Sequence, residues 1–95
     1  MKTFTIVIPS DLPFHDVQSY LDDLEAVDVS ARVVIDMSQV ADVYSSLVRF
    51  LIDMRRLVAL AGGEMAIILS EPARRTFRTI GMDLYFAREI DRGAA

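Results

Sequence analysis

The sequence predicts a small α/β domain, with a mainly parallel or mixed sheet of about four strands and three helices packed mostly on one face. Short apolar runs of β character alternate along the chain with longer segments whose apolar residues recur at helical spacing. Parallel neighbouring strands need crossover connections, and helices of that length supply them. At 95 residues, 53% of them hydrophobic, the chain has room for one domain spanning residues 1–95 and not for two. Its last five residues read as a loose tail.

Each element follows from its local pattern. Phe4, Ile6 and Ile8 alternate with Thr3, Thr5 and Val7, giving a first strand that stops at Pro9. Ser10 and Asp11 are N-cap residues, and Pro13 is tolerated in a first helical turn. Phe14, Val17, Leu21 and Leu24 then recur at helical intervals with Asp16, Asp22, Asp23 and Glu25 on the wet face, up to about Ala26. The second strand is Arg32 to Asp36; its continuous Val33-Val34-Ile35 run fits a strand covered on both faces. A long helix from Ser45 to Ala61 carries a stripe of Leu47, Phe50, Leu51, Met54, Leu57, Val58 and Ala61. Gly62-Gly63 provides the left-handed turn that closes it. Glu64 to Leu69 makes the third strand. Ser70-Glu71-Pro72 is a helix start, with Ala73, Phe77 and Ile80 facing inward, Arg74, Arg75 and Arg78 outward, and Gly81 as the stop. Leu84, Tyr85 and Phe86, within Asp83 to Arg88, read as a short fourth strand.

Composition narrows the function. A formal net charge of −4 argues against nucleic acid as a partner, because phosphate backbones select basic surfaces. The absence of cysteine excludes disulfides and thiolate metal sites and fits a cytoplasmic protein. The N-terminal apolar run alternates and ends at Pro9, unlike a signal peptide. Arg49, Asp53, Arg55 and Arg56 interrupt the longest candidate for the roughly 20 residues that span a bilayer. His15 is the only histidine, and one imidazole without neighbours makes neither a metal site nor a catalytic triad. Asp36 and Asp42 are better read as a strand-end cap and a solvated loop charge than as an acid–base pair. Gly62-Gly63 follows a helix where a phosphate-cradling loop would precede one. No cofactor, metal or enzymatic activity is expected.

The stretch that carries chemistry is the start of the long helix, where Ser45 and Ser46 sit among backbone N–H groups that lack intrahelical partners. Either serine is a cap residue, and a phosphate added there would meet the same donors. Asp42, Tyr44, Ser46, Leu47 and Val48, around Ser45, form a mixed aromatic, aliphatic and polar patch that reads as an exposed docking surface.

From Phe4 to Phe86 these residues resemble the STAS domains of bacterial anti-sigma-factor antagonists. The run Val33-Val34-Ile35-Asp36-Met37-Ser38-Gln39-Val40 is similar to the family's apolar strand, Asp and short loop. The family's Asp-Ser-Ser/Thr-Gly-Leu motif falls on Tyr44-Ser45-Ser46-Leu47-Val48. Ala61-Gly62-Gly63-Glu64-Met65, the following Ala66-Ile67-Ile68-Leu69, and then Pro72, Phe77 and Ile80-Gly81-Met82 look like its back half. The resemblance implies a non-enzymatic switch that binds a regulatory protein, with Ser45 as the phosphorylated residue ahead of Ser46. It also implies a partner kinase that is itself an anti-sigma factor, and a PP2C-type phosphatase. Two positions depart from the motif: Tyr44 replaces its Asp, and the β-carbon of Leu47, where the motif has Gly, narrows the approach to the serine. Those departures leave room for an unphosphorylated accessory subunit, for example of a membrane transport complex. The chain also looks shorter than the family's usual length, and an unprotected sheet edge would favour a homodimer.

Overall fold

The structure, a computed structural model, describes residues 3–9 and 31–90. The expected first helix, His15 and the tail from Asp91 lie outside the described residues. Among those described, three strands form one all-parallel sheet in the order β1-β2-β3, with β1 at Thr3–Val7, β2 at Arg32–Met37 and β3 at Glu64–Leu69. Helix α1, Ser45–Leu60, connects β2 to β3, and α2, Glu71–Ile80, follows β3. The α/β class and the parallel pairing agree with the sequence pattern.

Register explains which face is buried. Ile6 pairs with Ile35 and Ile35 with Ile67, while Val33 aligns with Met65 and Met37 with Leu69. Partners in a parallel ladder point to the same side, so these residues make one apolar sheet face. Leu47, Phe50, Leu51, Met54 and Val58 of α1 and Ala73 and Phe77 of α2 join that face in one core. The two long helices described, α1 and α2, therefore lie on one side. The opposite sheet face carries exposed Thr3, Thr5 and Glu64 and half-buried Val34, Ala66 and Ile68. The β2 run is thus fully buried on one face only, which corrects the expectation of two covered faces.

Both helix ends predicted from glycine are present. Gly62 at φ 78° and Gly63 return N–H bonds to Ala59 and Val58 carbonyls, and Gly81 at φ 79° bonds Arg78. Crossed bonds of this kind satisfy the last carbonyls of a helix, and the left-handed φ is open to glycine at little steric cost. The stripe of α1 is narrower than predicted: Leu57 is 51% exposed and Ala61 is exposed. Ile80 also faces solvent, because α2 is only ten residues long and its core contact stops at Phe77.

The predicted fourth strand does not form. Met82–Tyr85 makes a short helix, α3, which turns Phe86 into the core 6.1 Å from the Phe77 ring. Extended pairing survives only beyond it, where Ile67 N–H donates to Glu89 C=O and Ile67 bridges Ile90 in parallel. Three consecutive apolar residues satisfy a strand or a buried turn of helix equally well. Gly81, which ends α2, starts α3 and decides between them.

Candidate functional site

The site lies where β2 ends and α1 begins. Asp36, one residue before the end of β2, accepts a 2.9 Å bond from the Ser38 N–H and so turns the chain off the strand. The Ser38 side-chain hydroxyl, and then that backbone N–H, hold the Asp36 carboxyl below its ordinary value of 3.8. The expected role of Asp36 as a strand-end cap is met, one residue early. Val40 N–H then bonds Met37 C=O, and buried Val40 and partly buried Val43 fasten the loop to the core.

Ser70 anchors that loop from outside. Its N–H donates to Met37 C=O at 3.3 Å, and its hydroxyl donates to Val40 C=O while accepting from Ala73 N–H at 3.1 Å. One side chain thus caps α2 and ties its start to the segment leading into α1. The sequence marks Ser70 as a cap; the bond to Val40, 30 residues earlier, carries no local signal.

The start of α1 is different. Tyr44 occupies the N-cap position in extended conformation and makes no side-chain cap bond, and no acidic residue lies in the first turn. Neither Ser45 nor Ser46 caps the helix, which corrects that expectation: both lie inside it, at its first two positions. Leu47 and Val48 N–H groups bond Tyr44 C=O at 3.0 and 3.1 Å. The Ser45 and Ser46 N–H groups have no such partner among the described residues, so the turn keeps its partial positive charge open.

The two serines have opposite surroundings. Ser45 is exposed, whereas the Ser46 hydroxyl is closed off from solvent and finds no hydrogen-bond partner. Asp42 is exposed beside them and Tyr44 is 40% exposed, while Val48 is half-buried. Leu47 does not belong to the exposed patch: at 4% exposure its side chain is part of the core. Helical geometry causes this, since Leu47 shares a face with Phe50, Leu51 and Met54.

Elsewhere, Arg55 Nε lies 3.0 Å from Glu89 Oε1, and the Arg55 guanidinium sits 4.7 Å from the Tyr85 ring centroid. Arg49, Asp53 and Arg56, at helical intervals on the exposed face of α1, form no ion pair among the described residues. Among these residues, no helix is long and apolar enough to cross a membrane.

The family profile of the STAS domain matches residues 4–92. No curated protein and no solved structure matches the chain. The match covers nearly the whole sequence and includes every described strand and helix apart from the first residue of β1. STAS domains are in general regulatory or protein-binding modules and not enzymes. The chain belongs to the STAS domain family.

Proposed function

We infer that this protein is a phosphorylation-switched binding domain of the anti-sigma-factor-antagonist type, acting in the cytoplasm, with Ser45 as the phospho-acceptor. The observation that carries this reading is the exposed Ser45 hydroxyl at the first position of an uncapped helix. An incoming kinase meets no side-chain cap there, and the phosphoryl group it leaves is next to N–H groups that have no partner among the described residues. The product is locally tolerated, so the fold need not change.

Binding changes instead. A phosphoryl group adds about −1.5 to −2 charges beside exposed Asp42 and in the middle of a patch formed by Tyr44, Ser45 and Val48. Like-charge repulsion and desolvation then oppose docking of the regulatory partner, and a coupling of ~3 kcal/mol is more than a hundredfold in affinity. The partners implied are a serine kinase that doubles as anti-sigma factor and a PP2C-type phosphatase. The protein performs no chemistry of its own on this reading, and Ser46, whose hydroxyl is enclosed, is the weaker acceptor.

Incubation with the kinase of its own pathway and ATP should place one phosphate on Ser45 by mass spectrometry. Ser45→Ala should bind the partner like wild type, and Ser45→Asp should lose most of that affinity. An unmodified Ser45 beside a modified control antagonist would remove the switch. The second reading, an unphosphorylated accessory subunit of the kind found in membrane transport complexes, is favoured by Tyr44 in place of the motif's Asp. It predicts equal partner binding by Ser45→Ala and Ser45→Asp.

A further inference from the structure

The edge of β3 away from β2, paired among the described residues only where Ile67 meets Glu89 and Ile90, borders a groove of about 1240 Å³ between the second half of α1 and the segment Tyr85–Ile90. Its walls are mixed. Ile52, Val58, Met65 and Ile90 are apolar, whereas four arginines, Arg32, Arg55, Arg56 and Arg88, line it against two glutamates. This is a cationic concavity on a chain whose net charge is −4. Arg55 is committed to Glu89 and stacked on Tyr85, the two atoms of that ion pair being close without hydrogen-bond alignment. Arg32, Arg56 and Arg88 are exposed and make no ion pair among the described residues.

The backbone adds a second recognition element. Ile67 donates its N–H outward to Glu89, whereas Glu64 and Ser70 donate inward, to Ala31 and Met37. Alternation along the strand therefore turns the N–H and C=O of Met65 toward the same outer edge as Ile67, beside the groove. An extended segment lying there gains main-chain bonds from Met65 and charge contacts from the arginines. The volume exceeds the ~300–1,000 Å³ of compact small-molecule sites, so an elongated occupant fits it better.

We propose that this groove binds an extended acidic segment of a partner protein, with Arg56 and Arg88 meeting its carboxylates and Met65 pairing with its backbone. The surface is separate from the phosphorylatable serine: Arg56 lies 11 residues beyond Ser45, about 16 Å along the helix axis. It does not depend on the switch being real.

The test uses a fluorescein-labelled ten-residue peptide alternating Glu and Val, titrated with the full chain at low salt and followed by anisotropy. Wild type should bind it, and the same peptide with Gln for Glu should bind at least tenfold more weakly. The double variant Arg56→Gln/Arg88→Gln should lose about tenfold, while Arg75→Gln/Arg78→Gln on α2, which removes the same charge elsewhere, should change affinity less than twofold. Amide chemical shifts give a readout independent of variant folding: Met65, Ala66 and Arg88 to Ile90 should move on titration. Equal losses from both double variants, shifts confined to other surfaces, or displacement of the peptide by millimolar inorganic phosphate alone would overturn the proposal.

Discussion

The two helices that leave the carboxyl ends of β2 and β3 begin in different chemical states. Helix α2 starts on Ser70, whose hydroxyl caps Ala73 N–H, followed by Glu71 in the first turn and Pro72 where no N–H is needed. Helix α1 starts on Tyr44 with no side-chain cap and no acid in its first turn, and then leaves one serine exposed and the hydroxyl of the next enclosed. A helix that must only be stable uses its serine as α2 does. The α1 start, which has no side-chain cap, leaves exposed Ser45 at its first position, the arrangement that the proposed modification uses.

The strongest way to break this contrast is Leu47→Ala. If Leu47 is the core anchor that holds the α1 start in place, the change costs about 3 kcal/mol in denaturant unfolding. Unchanged stability with lost partner binding would return Leu47 to the docking surface. Next comes Ser70→Ala, which removes a cap and strands the Val40 carbonyl. It should cost about 2 kcal/mol, and amide exchange should rise in residues 38–44 as well as in α2. Protection lost from α2 alone would show that Ser70 does not tie the two helix starts together.

Ser46→Ala sharpens the comparison in the opposite direction. Its buried hydroxyl has no partner, so removing it should stabilise the protein by up to about 1 kcal/mol and leave phosphorylation of Ser45 intact. Destabilisation would mean that the hydroxyl carries a bond. The smallest effect concerns Asp36, whose folded pKa is depressed by Ser38. A depressed carboxylate stabilises the fold above its unfolded pKa and loses that contribution as pH falls through the folded value. Asp36→Asn should therefore flatten the stability profile below about pH 4, with little change in slope at neutral pH. Identical acid profiles for the two proteins would assign the turn to backbone bonds alone.

Much of this was legible in the chain. The third strand, Glu64–Leu69, coincides with its predicted span, and α1 and α2 begin and end within one residue of theirs. Alternation, helical spacing, Ser-Glu-Pro and Gly-Gly are local signals backed by local physics. The misread segment, Asp83 to Arg88, has no periodicity at all. Gly81 starts its short helix over Met82–Tyr85, and the turn that follows places Phe86 in the core beside Phe77, a contact between two elements.

At the site the division is the same. The amino-acid sequence by itself determined that a pair of serines would open a long amphipathic helix behind a parallel strand, because residue order and hydrophobic period are enough for that. Only the tertiary structure decided which serine is exposed and which hydroxyl is enclosed, that Leu47 turns inward, that Ser70 grips the Val40 carbonyl, and that Arg32, Arg56 and Arg88, without an ion pair among the described residues, gather beside the outer edge of β3. Those outcomes depend on how α1 is rotated about its own axis and on which distant backbone it meets. No window of sequence contains that rotation, because it is set by filling one shared core.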